Sequence, residues 1–168
     1  PNEECFKINV DASFVEAINT ASVGVVVKNH CEEVAISSWD YIGACYSAEE
    51  AELRAALSGL YIGTILHKSI ILESGCSFVV GVLGNDSCDR SHLVDLKKQA
   101  LSISKMLANV KISKISRKAN MVVHELGKFS LNNRCDGALI DSVPACVADA
   151  VMNDGMTLQN DGSPSRTF

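Results

Sequence analysis

Phe6-Lys7-Ile8-Asn9-Val10-Asp11-Ala12-Ser13-Phe14 is the stretch near the N-terminus that decides the fold. Apolar and polar residues alternate through Phe6, Ile8 and Val10, which is the period of a half-buried β-strand. Because Asp11 follows directly after Val10, we expect its carboxylate to stand at the end of this strand. Taken alone, an aspartate in that place is more often a turn residue than a catalytic one. The rest of the chain decides between the two interpretations.

The composition predicts one globular domain. The chain has 168 residues, of which 47% are hydrophobic and 21% charged, with a net charge of −5. This balance supports a core and gives no overall attraction to nucleic acid or anionic lipid. No apolar run approaches the roughly 18 residues that span a bilayer, and no signal peptide is visible. We therefore expect an intracellular protein, cytoplasmic or nuclear, that has no membrane partner.

The cysteines and the chain ends carry weaker signals. Seven cysteines occur singly and without a CxxC motif, so neither a zinc site nor a disulfide framework is indicated. We expect reduced thiols. Because the first residue is Pro1 rather than Met, we expect a piece of a longer protein. Residues 1–154 are predicted to form the domain, and residues 155–168, rich in Gly, Asn, Ser and Asp, a flexible tail.

Hydrophobic periodicity predicts the element order β-β-β-α-β-α-α-β-α. The first three predicted strands are joined by short turns, and the third of them ends near residue 39. Short turns between consecutive strands favour an antiparallel meander. Ser47 is the predicted N-cap of the first helix, and Glu50 completes a capping box. Further strands are predicted at 69–74 and 110–116, and further helices at 77–83, 93–107 and 119–131. This order predicts a mixed five-stranded sheet with helices on its faces.

Basic residues are concentrated in one part of the chain. Residues 96–124 contain no acidic residue and seven basic ones: Lys97, Lys98, Lys105, Lys111, Lys114, Arg117 and Lys118. On an acidic chain this concentration is typical of a local phosphate-binding surface. A solvated helix face beside a solvated strand face explains the pattern equally well, so both interpretations stay open.

Five stretches together resemble the ribonuclease H fold, and within it the reverse-transcriptase-like (type 1) RNase H family that is abundant in plants. They are residues 8–14 (INVDASF), 51–60 (AELRAALSGL), 71–80 (ILESGCSFVV), 117–128 (RKANMVVHELGK) and 143–154 (VPACVADAVMND). Each match alone is weak, but the five occur in the order and spacing of the family. The resemblance implies a ribonuclease H-like α/β fold and hydrolysis of RNA in RNA–DNA hybrids.

The resemblance also implies four carboxylates that hold two divalent cations, Mg²⁺ or Mn²⁺. The first carboxylate matches Asp11 and the second matches Glu52. The third position is occupied by Gly75, so this carboxylate is lost, and the fourth is occupied by His124. Because two of the four ligands are replaced, we expect weak or absent nuclease activity. If activity survives, Asp11, Glu52 and His124 are the expected catalytic residues, with Asp11 and Glu52 as the metal ligands.

Two residues are candidates to compensate for the lost ligands. His124 is a nitrogen ligand better suited to Mn²⁺ or Zn²⁺ than to Mg²⁺, and it is also a candidate general base or phosphate contact. An ordinary histidine near a helix start remains an equally good interpretation. Glu73 shares a strand face with position 75 but lies about 7 Å away along the strand, which is far for a surrogate. Glu49 is better explained by helix capping and solvation.

Binding of a hybrid across its wide minor groove is implied as well. The candidate nucleic-acid contacts are Ser13, Lys114, Arg117, Lys118, Asn120 and Lys128. Such contacts depend on salt and not on base sequence. No aromatic platform accompanies the basic residues, so stacking of single strands is less supported.

Three interpretations of the function stay open. The first is a divergent nuclease that retains hybrid cleavage with Mg²⁺ or Mn²⁺. The second is a non-catalytic module that keeps the fold to bind nucleic acid or a protein partner and needs no cofactor. The third is a decayed remnant of a mobile element, without a selected function.

Overall fold

A six-stranded mixed sheet with helices on its faces forms the domain in a computed structural model, which describes residues 5–84 and 91–154. The strands are β1 (Cys5–Val15), β2 (Thr20–Lys28), β3 (Val34–Ala44), β4 (Ser69–Ser74), β5 (Val110–Lys114) and β6 (Gly137–Ile140). The helices are α1 (Ala48–Leu66), α2 (Ser77–Gly84), α3 (Val94–Met106), α4 (Met121–Asn133) and α5 (Ala148–Asn153). The predicted flexible tail lies outside the described residues, as does most of the predicted loop after α2.

The strand order is β5-β4-β1-β2-β3-β6. Strands β1, β2 and β3 are antiparallel neighbours, whereas β4 runs parallel to both β1 and β5. The predicted α/β fold class and the meander are therefore confirmed. The sheet has six strands instead of the predicted five, because residues 137–140 pair with β3. Four residues are too few to show a strand period in sequence.

Strand β1 does not end at Asp11, and the predicted strand end is wrong. The strand continues to Val15, and Asp11 pairs with Gly24 of β2. What ends beside Asp11 is the neighbouring strand, because β4 pairs with β1 only as far as Val10 and Ser74. Asp11 is thus the first residue of β1 beyond the end of β4. On the β4 side, Asp11 therefore has no paired strand residue.

The two faces of the sheet carry separate cores. Ile8 and Val10 of β1 pack under α1, together with Leu53 and Leu60. On the opposite face, α4 and α5 cover a second core built around Trp39. Since side chains alternate along a strand, Asn9, Asp11 and Ser13 all point to the α4 face. The alternation first seen in the sequence therefore delivers a row of polar side chains to one helix.

Helix α4 approaches the sheet most closely at Gly24. A Cβ atom built on this residue would lie 2.2 Å from the carbonyl oxygen of Val123 and 3.0 Å from the amide nitrogen of Gly127. Only a residue without a side chain allows this distance. Gly24 is the β2 partner of Asp11, so the close approach also brings His124, next to Val123, over Asp11.

The start of α1 has the predicted cap. The hydroxyl of Ser47 accepts a hydrogen bond from the backbone N–H of Glu50 at 3.1 Å, and the Glu50 carboxylate accepts one from the N–H of Tyr46 at 3.0 Å. The carboxylate thus reaches one residue further back than in the usual capping box. Glu50 also pairs with Arg54 at 2.9 Å. Two hydrogen bonds and one ion pair therefore stabilise the start of α1, the helix that carries Glu52.

Replacing Ser47 by Ala should lower the free energy of unfolding by about 1 kcal/mol, because the N–H of Glu50 loses its acceptor. Chemical denaturation followed by circular dichroism measures this loss. Ser47→Asp is the matched control, since its carboxylate caps equally well and should leave stability within about 0.5 kcal/mol of wild type. Equal stability of the Ala and Asp variants would show that the cap contributes nothing.

Candidate active site

Asp11 and His124 are in direct contact. Atom Nδ1 of His124 lies 2.9 Å from Oδ2 of Asp11. The Asp11 side chain is 17% exposed and the His124 side chain 42% exposed, so the pair opens to solvent on the histidine side. The sequence paired these positions only through family resemblance, whereas the structure joins them through the contact of α4 with β1.

Glu52 of α1 lies close enough to Asp11 for their charges to interact. Burial, and after it the Asp11 charge, raise the pKa of Glu52 to about 8, although the Arg117 charge and the Ala12 N–H act in the opposite direction. Burial also raises the pKa of Asp11, against the lowering effect of its hydrogen bond with His124. Oε2 of Glu52 is buried and has no hydrogen-bond partner among the described residues. Two such carboxyl groups are what a bound cation would stabilise in ionised form.

The donor set fits one divalent cation better than two. Among residues 5–84 and 91–154, no group of three or more His, Cys, Asp and Glu side chains is arranged to hold a metal ion. Mg²⁺ needs only one or two carboxylates when waters and substrate phosphates complete its shell. Asp11 and Glu52 meet that requirement, and the unpartnered Oε2 of Glu52 is an available ligand atom.

Gly75, where the family resemblance implies a lost carboxylate, directly follows β4 and lies beside Arg117. A Cβ atom built on Gly75 would lie 3.5 Å from Cγ of Arg117 and 3.9 Å from the carbonyl oxygen of Ile115, both ordinary contact distances. The position therefore has room for the first atom of a side chain. The neighbouring side-chain atom there belongs to the aliphatic stem of Arg117.

The side-chain amides of Asn120 and Asn9 form a buried hydrogen-bond network next to the site. Asn120 is 2% exposed, and its Nδ2 donates to the carbonyl oxygen of Val10 at 3.0 Å. Asn9 Nδ2 donates to Oδ1 of Asn120 at 3.0 Å and to Oε2 of Glu73 at 3.1 Å. Asn120 thus ties the start of α4 to β1, one residue before Asp11. Asn120, predicted as a nucleic-acid contact, is therefore a buried residue whose hydrogen bonds hold α4 to β1.

Asn120→Ala should lower the free energy of unfolding by about 2 kcal/mol, because Val10 and Asn9 both lose a buried partner. The variant should also loosen the contact of His124 with Asp11, visible as a shift of the His124 ring signals in NMR spectra. Asn132→Ala, an exposed position at the far end of the same helix, is the control and should change neither quantity. If Asn120→Ala is as stable as the wild-type protein, the hydrogen bonds of Asn120 do not hold α4 to β1.

The other predicted contacts are distributed unevenly. Arg117 and Lys128 line an open cleft of about 730 Å³ whose floor holds Asp11, Glu52 and His124. Ser13 lines it too, but is only 8% exposed, because α4 packs against it at Gly127. Lys118 is exposed and lies outside the cleft lining, as does Lys114, whose amine contacts the hydroxyl of Ser77. The structure thus gathers part of the predicted set in one place.

Glu73 does not stand beside Asp11. It pairs in register with Asn9, whose amide it binds, and it is not among the residues that line the cleft. Asn9 is the site residue that the sequence reasoning missed. The signal was present, because Asn9 lies two residues before Asp11 and a polar residue within an apolar strand that shares its face is a candidate partner.

Comparisons with known proteins agree with this architecture. The sequence model of the reverse transcriptase-like family matches residues 9–130. RNase H1 from Halobacterium salinarum superposes with a TM-score of 0.71 at 16% identity, covering 78% of this chain and 99% of that one. The N-terminal RNase H domain of a Mycobacterium tuberculosis protein gives 0.70 at 20% identity, covering 77% and 94%. LC11-RNase H1, solved in complex with an RNA/DNA hybrid, gives 0.71 at 17% identity, covering 77% and 98%. No curated protein matches significantly.

The sheet order, the helix packing and these superpositions define a ribonuclease H-like fold. Within that class, the chain belongs to the reverse transcriptase-like family, whose model covers most of its length. The family resemblance seen in the sequence is therefore confirmed. In the part of the chain that the structure describes, no helix is both long and apolar enough to cross a membrane.

Proposed function

We propose that this domain binds RNA–DNA hybrids across the cleft and cleaves the RNA strand weakly, with Mg²⁺ or Mn²⁺ held by Asp11 and Glu52. One observation carries the proposal: a buried, unpartnered carboxyl oxygen of Glu52 lies near Asp11 at the floor of an open cleft. Basic side chains, Arg117 and Lys128, line the same cleft. Carboxyl groups that can bind a cation, with basic side chains beside them, suit a phosphodiester that contacts the cation.

Each residue would have a separate task. Asp11 and Glu52 bind the cation, which when bound would neutralise phosphate charge and favour ionisation of a water. His124 is oriented by its Nδ1 contact with Asp11, so its other ring nitrogen is left to take up or release a proton. Arg117 and Lys128 contact the phosphates on either side of the scissile bond. The pair of carboxylates is half of the family's set of four, which is why we expect cleavage to be weak.

A non-catalytic binding module is the second candidate, and one observation favours it. With a pKa of about 8, Glu52 is protonated at neutral pH unless a cation binds, and a protonated carboxyl is a poor ligand. In that case the fold binds a hybrid, another nucleic acid or a protein partner without chemistry. In either case we propose an intracellular location.

The two candidates separate in a cleavage assay with a labelled hybrid. We expect slow cleavage with Mn²⁺, slower cleavage with Mg²⁺ and none with EDTA. Asp11→Asn should reduce the rate at least about 100-fold, as loss of a transition-state charge partner does, whereas hybrid affinity should change less than about threefold. Lys111→Ala, on the exposed face of β5, is the control and should cleave normally. Retained hybrid binding without product in either metal would establish the non-catalytic candidate.

A further inference from the structure

The N-terminus of α4 has no capping side chain of its own. The first N–H groups of a helix have no partner inside it, and an asparagine directly before the helix commonly accepts a hydrogen bond from one of them. Asn120 stands in that place, but its side chain forms no cap hydrogen bond. Its amide is bound instead to Val10 and Asn9 of β1. Because Asn120 holds α4 to the sheet, the first turn of α4 must be capped from elsewhere.

Asp154, directly after α5, supplies this cap. Its Oδ2 accepts a hydrogen bond from the backbone N–H of Val122 at 2.8 Å, although the two residues are 32 positions apart. The N–H of Asp154 donates to the carbonyl oxygen of Ala150 at 3.1 Å, which fixes the aspartate on the last turn of α5. A carboxylate at this end of a helix also interacts favourably with the helix dipole.

Helix α5 holds the cap in buried surroundings. Val151 of α5 packs in the second core together with Val122 and Leu126 of α4. Val122 is completely buried, and Oδ1 of Asp154 is buried as well, with no hydrogen-bond partner among the described residues. Loss of the carboxylate would therefore leave the Val122 N–H buried without an acceptor or force the first turn of α4 to move.

The turn that Asp154 caps also carries His124. This residue lies two positions after Val122, and its Nδ1 contacts Oδ2 of Asp11 at 2.9 Å. The His124 side chain is 42% exposed, so packing restrains the ring on only part of its surface. The backbone of the first turn therefore contributes strongly to where the ring stands.

We propose that Asp154 is a positioning residue of the site: by capping α4 from the C-terminal segment, it holds His124 against Asp11. The family model matches residues 9–130, so a residue beyond the matched part of the chain sets the geometry of the cleft floor. A cap that only added stability would leave the His124 ring where it is. For cleavage the inference rests on the proposed function, whereas for the position of the ring it does not.

Nuclear magnetic resonance of the histidine rings in the metal-free protein, at one fixed pH, reports the position of His124 directly. Its signals are assigned by their absence in His124→Gln, and Asp11→Ala shows where they lie once the contact is lost. We expect Asp154→Ala to move the His124 signals toward their position in Asp11→Ala. Asp154→Asn keeps an oxygen that accepts the same hydrogen bond, so it should restore the wild-type position.

Ile103→Ala is the control for a general loss of stability. Ile103 is a buried residue of α3 in the core under α1, far from the cap in the fold. This variant should be destabilised but should keep the wild-type His124 signals. Circular dichroism confirms that each variant is folded. If Asp154→Ala does not fold, Asp154→Leu, which fills similar space without an acceptor, takes its place in the same comparison.

The cleavage assay gives the second measurement. Asp154→Ala should lower the rate on a bound hybrid between about 10- and 100-fold, as displacement of a reacting group by about 1 Å does, and should change hybrid affinity less than about threefold. Asp154→Asn should cleave at nearly the wild-type rate, which separates the hydrogen bond from the charge.

Three outcomes would overturn the inference. They are unchanged His124 signals in the folded variant without an acceptor at position 154, an equal shift in Ile103→Ala, and an Asp154→Asn variant that behaves like Asp154→Ala. Failure of the proposed function is a different result. If the wild-type protein cleaves no hybrid but Asp154→Ala still displaces the His124 signals, the role of Asp154 stands and the nuclease function fails.

Discussion

Gly24→Ala should destabilise the domain by about 3 kcal/mol or more, because the new methyl group meets backbone and not a movable side chain. Its Cβ would lie 2.2 Å from the carbonyl oxygen of Val123, so α4 must move away from β2. Denaturant titration measures the loss of stability. Since His124 follows Val123, the same displacement should break the contact of His124 with Asp11.

Gly81→Ala is the matched control. Gly81 lies in α2, and a Cβ atom there meets nothing within 4 Å. The substitution should raise stability by about 0.5 to 1 kcal/mol, because alanine is the better helix former. If Gly24→Ala is no less stable than the wild-type protein, α4 does not pack on β2 at this distance, and the position of His124 over Asp11 has another cause.

Glu52→Gln should stabilise the metal-free protein at alkaline pH, opposite to the usual effect of a site substitution. The pKa of Glu52 is about 8 in the folded protein and 4.5 in a model compound. Between these values the unfolded chain has released a proton that the folded protein still holds, so wild-type stability falls as pH rises from about 4.5 to 8. The penalty is complete above pH 8 and is at most about 5 kcal/mol. Below pH 4.5 it vanishes.

Denaturation of the wild-type protein and of Glu52→Gln in EDTA, from about pH 4 to about pH 9, measures this difference. Glu16→Gln, at an exposed residue, is the control and should follow the wild-type curve. Saturating Mn²⁺ at alkaline pH should raise wild-type stability, by about 2.7 kcal/mol at 100 times the dissociation constant, but should not raise that of Glu52→Gln. Parallel pH curves for the wild-type protein and Glu52→Gln would show that Glu52 is not held in a desolvated site.

Much of the fold was predictable from local pattern. The valine-rich β2, the cap at Ser47 and the strand at 69–74 each have signals that depend on a few neighbouring residues. Strand ends were predicted less well: β1 runs four residues beyond Asp11, to Val15, and β3 runs five residues beyond position 39, to Ala44. The reason is that a strand ends where its partner or its turn ends, and pairing joins residues far apart in sequence.

The site was predictable only through family resemblance. Periodicity alone explains Asp11 as a turn residue, and nothing near Glu52 or His124 in the chain marks them as its neighbours. The structure brings the three to one cleft because β4 ends beside Asp11 and α4 packs on Gly24. Their roles as ligands and catalyst stay predictions that stabilisation by Mn²⁺ and the cleavage assay test.

By itself, the sequence determined most of the elements and the alternation that sends Asn9, Asp11 and Ser13 to one face, and through the family resemblance it led us to expect Gly75 in place of a carboxylate. Only the tertiary structure decided what stands near that glycine. The β5–α4 turn is fixed on β4 and β1, and it places the Arg117 stem beside position 75. Charge at a site depends on distance through space, which no spacing along the chain specifies. Asp11, Glu52, His124 and Arg117 therefore line one cleft only once the chain is folded.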